Sequence, residues 1–200
     1  MHPHPKFRWE DRDEMREFVR LAGFGALFAG TPDGPRVAHM PVIWLDADTL
    51  GLHVARGNGI TRHLDGATAL FVVQGPDAYI SPDWYREGPD EVPTWNYVTV
   101  ELEGRMVRMD RDALLAQIDA LGHEQEGRLA PKPEWTRAKT DPKRIDAMLN
   151  GIHGFRLEII AWRGTRKLGQ TKSDAARLSA ADALDAQGRK AVAHWMRNAK

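Results

Sequence analysis

The chain has 200 residues, enough for one domain with a sizeable core, and its 28 basic and 28 acidic side chains give a formal net charge of zero. This balance provides no global field for nucleic acid or an anionic membrane, and because the chain contains no cysteine, disulfides, thiol nucleophiles and cysteine-ligated metal sites are excluded. No segment approaches the roughly 18 uninterrupted apolar residues of a membrane span, and the first residues lack an apolar leader, so we expect a cytoplasmic protein without membrane contact.

The first predicted element is a helix near the start of the chain. Asp11 can cap it, Glu14 follows three residues later, and Gly23 ends it. One apolar stripe runs along this helix and consists of Met15, Phe18, Val19 and Ala22. The stripe predicts that one face of the helix packs on the core.

Six strands are predicted after this helix. They cover residues 24–30, 36–45, 50–55, 67–74, 97–109 and 155–164. The first three are joined by the short turns TPDG and DADT and predict a meander, and residues 75–92 are predicted to form a loop. In the fifth strand the apolar positions change parity at Gly104, which predicts a β-bulge that bends the strand toward barrel closure.

Further helices are predicted in the second half of the chain. They cover residues 110–121 and 141–151, and Asp141 can cap the second. The stretch that begins at Ser173 favours one or two exposed helices, which Gly188 interrupts. The order of elements predicts a small antiparallel barrel with peripheral helices, in the α+β or mainly-β class.

The stretch HVARGNGITRH resembles a phosphate site in outline. A strand carrying His53 and Ala55 leads into a loop with Arg56 and Asn58, and Arg62 follows on a short helical piece. The two glycines of the loop let the backbone approach a ligand, the asparagine can cap, and arginines bind phosphate through forked hydrogen bonds. The stretch is not a dinucleotide fingerprint, because Arg62 occupies the third glycine position. The alternative is a strand that ends in a polar glycine turn.

Two aromatic stretches, QGPDAYISPDWY and PTWNY, contain all three tyrosines of the chain. Amphipathic rings line pockets for planar heterocycles, and the carboxamides of Gln74 and Asn96 can pair with the edge of such a ring. In the alternative interpretation, the prolines stiffen a loop whose aromatic residues only seal one end of the barrel.

A cationic run, RKLGQTKSDA, follows the last predicted strand. It contains Arg166, Lys167, Gln170 and Lys172. The run either forms a solvated turn or brings cations to an anionic ligand.

These stretches together resemble the PaiB family, FMN-binding proteins described as negative transcriptional regulators. The resemblance lies in the order and spacing of short elements at residues 53–58, 74–85, 92–97, 154–155 and 167–170. It covers most of the chain, up to about residue 176. After the asparagine of the first element the family commonly has proline, where this chain has glycine.

The resemblance implies a split β-barrel of about six strands, related to pyridoxamine-phosphate oxidase, and a homodimer with FMN at its interface. Residues 1–176 would form the FMN-binding domain and residues 177–200 a helical tail. The residues expected at the cofactor are His39, Pro41, His53, Ala55, Arg56, Asn58, Arg62, Gln74, Trp95, Asn96, Lys167 and Gln170. No catalytic residue and no metal site is predicted.

Three classes of function fit these expectations. The first two are a flavin-dependent regulator and a protein of the flavin reductase or oxidase type, in which the ring supplies the redox chemistry. The family description implies regulation, whereas the zero net charge and the absence of a helix–turn–helix pattern argue against direct DNA binding. The third is a haem-binding split barrel, for which the candidate ligands are His39, His53, His63, His123 and His153.

Overall fold

A computed structural model describes residues 2–199. Its strands are β1 (Arg8–Trp9), β2 (Phe24–Thr31), β3 (Gly34–Trp44), β4 (Thr49–Ala55), β5 (Thr68–Ile80), β6 (Thr94–Arg108) and β7 (Ile152–Lys167). Its α-helices are α1 (Arg12–Ala22), α2 (Arg111–Gly127), α3 (Pro142–Leu149), α4 (Asp174–Ala186) and α5 (Lys190–Arg197). The six predicted strands and the predicted helices are therefore present, and the two-residue strand β1 was not predicted.

The strands form one sheet in the hydrogen-bonded order β1-β7-β4-β3-β2-β5-β6. The pairs β2–β3, β3–β4, β2–β5, β4–β7 and β1–β7 are antiparallel, and β2 to β4 form the predicted meander. Because β7 also pairs with β6, the strands from β2 to β7 make a closed ring of pairings. This topology confirms the split β-barrel predicted from the sequence.

The chain divides into two compact units. Unit 1 comprises Met1–Met15, Gln74–Val100 and Arg163–Lys200, and unit 2 comprises Arg16–Val73 and Glu101–Trp162. The largest fully buried side chains of unit 2 come mainly from its strands and include Leu27, Leu50, Leu52, Phe71, Leu102, Met106, Phe155 and Leu157. The core of unit 2 therefore consists largely of the inward-facing positions of its strands.

The helix α1 follows its sequence signals closely. The backbone N–H of Glu14 donates to the side chain of Asp11 at 2.9 Å, so Asp11 caps as predicted. Gly23 follows the last helical residue with a φ of 60°, a left-handed conformation that favours glycine. Met15 and Val19 are buried, whereas Ala22, predicted on the same stripe, is exposed.

The predicted loop of residues 75–92 is wrong in its first part. Strand β5 continues to Ile80, and a short 3₁₀-helix then covers Pro82–Trp84. Ala78 and Ile80 are buried and Tyr79 is exposed, so the alternation of a strand resumes after Pro76. A proline lacks only the N–H donor, and a strand tolerates it where that donor is not needed for pairing.

The predicted bulge at Gly104 is also wrong. The buried positions of β6 run without a phase change through Leu102, Gly104 and Met106. Gly104 takes an inward position without a side chain because the carbonyl oxygen of Glu158 lies 2.3 Å from where a Cβ would stand. The glycine therefore marks a close approach of two backbones rather than an inserted residue.

The predicted C-terminal helices are present as α4 and α5, but each of them is partly buried, whereas exposed helices were expected. Ser173 caps α4 by accepting from the N–H of Ala176 at 3.2 Å, and Gly188 separates the two helices with a φ of 78°. Both helices bury one face within unit 1, which contains Ala176, Ala180, Ala181, Leu184, Val192, Ala193 and Met196. Small alanine side chains allow this close packing, which composition alone did not reveal.

None of the helices in residues 2–199 has the length and apolarity needed to cross a membrane.

Candidate functional site

The loop that follows β4 in unit 2 is fixed by its own hydrogen bonds. The N–H of Asn58 donates to the carbonyl of Ala55 at 3.0 Å, and the hydroxyl of Thr61 donates to the same carbonyl at 2.7 Å. The side-chain oxygen of Asn58 accepts from the N–H of Ile60 at 3.2 Å, so Asn58 stabilises the turn. A 3₁₀-helix from Thr61 to His63 follows and matches the predicted short helical piece.

Two glycines in this loop have no structural requirement inside the described chain. A Cβ at Gly57 or Gly59 would meet no atom within 4 Å, and neither residue has a left-handed φ. Neither packing nor backbone conformation therefore demands glycine at these positions. Their remaining physical effect is to leave the backbone accessible to a molecule from outside.

Three strand ends bring basic groups together beside this loop. The N–H of Arg56, just after β4, donates to the carbonyl of Gly151 at 2.9 Å, which places Arg56 beside the start of β7. The Nη2 atom of Arg108, at the end of β6, lies 3.0 Å from Nδ1 of His153. Burial first, and then the charges of Arg108 and Arg56, lower the pKa of His153. We call Arg56, Arg108 and His153 the arginine cluster.

The other predicted arginine points elsewhere. The Nε atom of Arg62 donates to His63 at 2.9 Å, and its guanidinium lies 3.9 Å from the carboxylate of Asp33. Both partners of this ion pair are largely exposed. The sequence suggested that Arg62 would face the same anion as Arg56, whereas the described contacts of Arg62 are with His63 and Asp33.

His53 lies on β4 in unit 2, opposite Gly154 of β7. Its Nδ1 atom is buried and finds no hydrogen-bond partner in the described chain. Burial lowers the pKa of His53, which favours the neutral ring. A buried ring nitrogen without a partner is costly unless a further molecule satisfies it.

His39 and Pro41 lie on a different surface of unit 2. Both belong to the outward-facing positions of β3, where His39 pairs with Ala26 and Pro41 pairs with Phe24 of β2. Phe28 pairs with Val37 at the same alternating positions, and these two side chains are 41% and 43% exposed. The two strands therefore present one mostly apolar outer surface, which we call the β2–β3 face.

Two further predicted residues, Gln74 and Trp95, lie in unit 1. The Gln74 amide donates to Asp77 at 3.1 Å, and the ring of Trp95 packs edge-on against Tyr79 with centroids 6.2 Å apart. Trp95 and Tyr79 are both about half exposed. Since two large rings lie together at the surface, this pair is a candidate binding surface.

The last three predicted residues have different surroundings within unit 1. The side chain of Gln170 is used by its own turn, accepting from the N–H of Leu168 at 2.8 Å and donating to the carbonyl of Arg166 at 2.7 Å. Asn96 is buried and Lys167 is partly buried, and both line one pocket. Gln170 therefore has a structural role in the turn, whereas Asn96 and Lys167 remain available to a ligand.

Sequence reasoning missed Arg108 as a site residue and considered His153 only as a haem ligand. The two residues are 45 positions apart and meet only because β6 and β7 are paired. The available signal was that Arg108 lies near the end of one predicted strand and His153 just before the start of another, and it was not specific enough to join them.

Solved structures confirm the fold. The flavocytochrome Anf3 from Azotobacter vinelandii aligns with 84% of this chain and 73% of its own, with a TM-score of 0.62 and 13% identity. The FAD and haem binding protein from Mycobacterium smegmatis aligns with 81% of this chain and 74% of its own, with a TM-score of 0.60 and 19% identity. At this level of identity the likeness concerns the fold alone.

Sequence relatives extend the likeness over most of the chain. "Protease synthase and sporulation protein PAI 2" of Bacillus subtilis is 28% identical over 172 residues, which cover 84% of this chain and 81% of that protein. The protein YKL070W of Saccharomyces cerevisiae is 31% identical over 121 residues, which cover 55% of this chain and 71% of that protein.

The family comparison agrees with these relatives. The sequence profile described as "Putative FMN-binding domain" matches residues 1–161, which include β1 to β6 and most of β7. The profile covers far more than half of the chain, and the relative PAI 2 is the PaiB protein that the sequence motifs indicated. The chain therefore belongs to this FMN-binding domain family, as a split-barrel flavoprotein of the PaiB type.

Proposed function

We propose that the FMN phosphate binds at the arginine cluster and the loop after β4. The observation that carries this proposal is the contact between the Arg108 guanidinium and His153, next to the strand start at which the backbone of Arg56 is fixed by its bond to Gly151. Among residues 2–199, no carboxylate forms an ion pair with either arginine, so their charges are available to an external anion. Arginine binds phosphate oxygens through paired hydrogen bonds, and two arginines match the charge of a phosphate dianion.

The surrounding residues fit such a ligand. Gly57 and Gly59 leave the loop backbone open, and Asn58 stabilises the turn that presents it. Ala55 ends β4 with a small, exposed side chain. His53 has a buried Nδ1 that requires a partner, which the polar part of a flavin can provide. The guanidinium of Arg62 is paired with Asp33, so we do not assign it to this site.

The aromatic pair of unit 1 is, taken by itself, a candidate surface for a planar heterocycle. A planar heterocycle stacks well on exposed rings, and Trp95 and Tyr79 offer such rings, with the Gln74 carboxamide in the same unit. When bound, FMN supplies electron-transfer chemistry through its ring, and the protein contributes orientation and hydrogen bonds.

We further propose that two copies of the chain associate through the β2–β3 face. Phe24, Phe28 and Val37 expose 53%, 41% and 43% of their surfaces there, and Pro41 adds to the same apolar area. Exposed apolar patches of this kind usually mark an interaction surface. A twofold interface is self-complementary, so the partner would bring the same face, and His39 and Pro41 would lie within this interface.

The best-supported role is that of a flavin-dependent protein in which FMN is a resident redox group. We propose that any regulatory outcome acts through the state of the flavin rather than through direct DNA contact. The zero net charge is the reason, since cationic side chains supply most of the affinity of proteins for DNA. A gel shift on the protein's own promoter at low salt tests this point, and a salt-sensitive shift at nanomolar protein would contradict it.

An absorption spectrum of the purified protein tests the proposed function directly. We expect the two visible bands of an oxidised flavin, and mass spectrometry of the released cofactor should give FMN. A Soret band would favour the haem alternative instead. Of the five histidines considered for haem, His63, His123 and His153 already contact Arg62, Glu134 and Arg108, which leaves His39 and His53.

Two smaller expectations belong to the same proposal. We propose that residues 1–176 are sufficient for FMN binding and that residues 177–200 serve as a structural tail. Removing the tail should lower the melting temperature, because α4 and α5 bury apolar side chains, but it should leave FMN in the folded fraction. We also propose a cytoplasmic location, which cell fractionation would test.

A further inference from the structure

Unit 1 contains a pocket of about 290 Å³ that is separate from the residues of the arginine cluster. Its wall is formed by the N-terminal segment, the start of β6 and the turn after β7. The apolar part of the wall consists of Phe7, Tyr85 and Val92. The volume lies near the lower end of the range for small-molecule sites, which is roughly 300 Å³, so the pocket suits a ligand smaller than FMN.

Lys167 brings an uncompensated positive charge to this pocket. Its ammonium group donates to the hydroxyl of Thr94 and lies 5.9 Å from the centre of the Phe7 ring. Among residues 2–199, no carboxylate forms an ion pair with it. Burial lowers the pKa of Lys167, which means that the charged form lacks full solvation. An ammonium group has three donors, so two remain for an anionic acceptor.

Lys172, Glu91 and His2 also line the pocket, and they do not neutralise the charge of Lys167. Lys172 is paired with Glu91 and lies 4.9 Å from the centre of the Tyr85 ring, so the pair contributes no net charge. Burial, followed by the charge of Lys167, lowers the pKa of His2, which disfavours the charged form of that ring. Of the two lysines that line the pocket, Lys167 is therefore the one without a carboxylate partner in residues 2–199.

Asn96 adds a second, independent requirement. The side chain is only 1% exposed and lines the pocket, and its Oδ1 atom has no hydrogen-bond partner in the described chain. The Nδ2 atom donates to the thioether sulfur of Met196 at 3.3 Å, and sulfur is only a weak acceptor. The Oδ1 atom of the same amide is left without a hydrogen-bond donor. A buried carbonyl oxygen without a donor destabilises the fold, unless a bound molecule supplies the donor.

We propose that this pocket binds a small organic monoanion whose carboxylate meets Lys167 and whose N–H or O–H group donates to Oδ1 of Asn96. The apolar wall of Phe7 and Tyr85 favours a flat or apolar body between these two groups. This ligand is distinct from FMN, so the proposal assigns Asn96 and Lys167 to a second molecule. It goes beyond the proposed function and does not depend on where the flavin ring lies.

The test uses the full-length protein with its cofactor and titration calorimetry with four probes. The two matching probes are 3- and 4-hydroxybenzoate, which carry both a carboxylate and a hydroxyl donor. Benzoate lacks the donor, and 4-hydroxybenzamide lacks the charge. We expect saturable binding of at least one hydroxybenzoate, with benzoate and 4-hydroxybenzamide each about tenfold weaker, the loss expected when one buried hydrogen bond is not made.

Two variants and one control assign the contacts. Lys167→Gln should weaken hydroxybenzoate binding by about tenfold or more and change 4-hydroxybenzamide by less than about twofold. Asn96→Leu should remove the preference for hydroxybenzoate over benzoate without lowering the melting temperature, because it removes an unsatisfied polar group. Lys190→Gln, an exposed lysine of α5 outside the pocket, should leave all four affinities unchanged.

The flavin content of each sample is measured in parallel by its absorption. If the wild type does not bind hydroxybenzoate, the proposal of a second ligand is wrong. If the Lys167→Gln variant then also loses FMN, the pocket belongs to the flavin, and the proposed function stands. Equal binding of 4-hydroxybenzamide and 4-hydroxybenzoate would also overturn the proposal of a second ligand. A wild-type protein that binds hydroxybenzoate but contains no flavin would contradict only the proposed function.

Discussion

The Nη2 atom of Arg108 lies 3.0 Å from Nδ1 of His153, which joins the end of β6 to the start of β7. Arg56 follows β4, the strand that pairs with β7, and its charge also acts on His153. Unit 2 thus gathers three basic groups from three strand ends. The loop of residues 55–61 is already fixed by hydrogen bonds, so little further ordering is needed before an anion binds.

The first prediction concerns Arg56. Arg56→Ala should leave the fold intact and weaken FMN binding by roughly 1.5–3 kcal/mol, the range for a hydrogen bond to a charged group. Riboflavin lacks the phosphate, so its affinity should change much less. Fluorescence titration of the apoprotein measures both ligands, and Arg36→Ala, an exposed arginine of β3, is the matched control. Equal losses for the two ligands would mean that Arg56 shapes the ring pocket or the dimer instead.

The second prediction concerns the titration of His153. Burial and the two arginines hold its pKa below the ordinary value of 6.5 in the folded protein. The unfolded chain therefore takes up this proton at a higher pH than the folded chain does. Well above pH 6.5 the ring is neutral in both states. As the pH falls through that value the unfolded chain is protonated first, so the stability of the fold decreases.

An anion at the arginine cluster should reverse this shift. Sulfate does not titrate near neutral pH, so it is the suitable probe, with chloride at equal ionic strength as the control. Proton NMR of the imidazole ring should show a pKa of His153 below 6.5 in chloride and a higher value in sulfate. An identical titration of His153 in both salts would remove it from the phosphate site.

The strands could be predicted because each one alternates apolar and polar residues or forms a short apolar run. The prediction from sequence failed at one glycine and one proline, because each of these residue types is compatible with two different local structures. Gly104 was interpreted as a bulge, but it is an inward position where the backbone at Glu158 comes too close for a side chain. Pro76 was interpreted as part of a loop, but β5 continues past it to Ile80. Both cases depend on a neighbouring strand that local sequence does not specify.

Part of the candidate site could also be predicted from the sequence. Arg56 and Asn58 stand in one short motif, so a single stretch of sequence indicated them. Arg108 became a candidate only when the pairing of β6 with β7 placed it beside His153. Asn96 was proposed for its carboxamide, yet the feature that matters, an oxygen without a donor, follows from the packing around it. Long-range register and burial are therefore the physical information that the sequence did not yield.

The third prediction concerns the dimer. Phe28→Glu places a carboxylate in the centre of the β2–β3 face, and burying it against the partner would cost at least about 2 kcal/mol in each copy. Multi-angle light scattering at micromolar concentration should give a dimer for the wild type and a monomer for the variant. Ile160→Glu, on the outer side of β7 and 67% exposed, is the control and should remain a dimer. A monomeric wild type would refute the proposed interface.

The fourth prediction concerns Trp95. This side chain is 55% exposed, so Trp95→Ala should change the free energy of unfolding by no more than about 0.5 kcal/mol. The loss of a flat ring beside Tyr79 should instead lower the FMN content of the purified protein or its tendency to dimerise. Trp135→Ala, another partly exposed tryptophan, should affect neither. If the melting temperature collapses while the folded fraction keeps its FMN, Trp95 is a packing residue.

The last prediction compares two glycines of unit 2. A Cβ at Gly104 would stand 2.3 Å from the carbonyl oxygen of Glu158, a backbone atom that cannot rotate away, so Gly104→Ala should destabilise the protein by at least about 1–3 kcal/mol. Gly122 lies inside α2, and a Cβ there would meet nothing within 4 Å.

Gly122→Ala should therefore stabilise the protein by about 0.5–1 kcal/mol, because alanine loses less backbone entropy in a helix. Urea unfolding followed by circular dichroism measures both variants under the same conditions. We expect the two changes in the free energy of unfolding to have opposite signs. The pairing of β6 with β7 requires glycine at position 104, whereas no contact in the described chain requires it at position 122. A neutral Gly104→Ala variant would mean that the two strands can move apart at little cost, and the close approach would no longer explain why the sequence has glycine in the middle of β6.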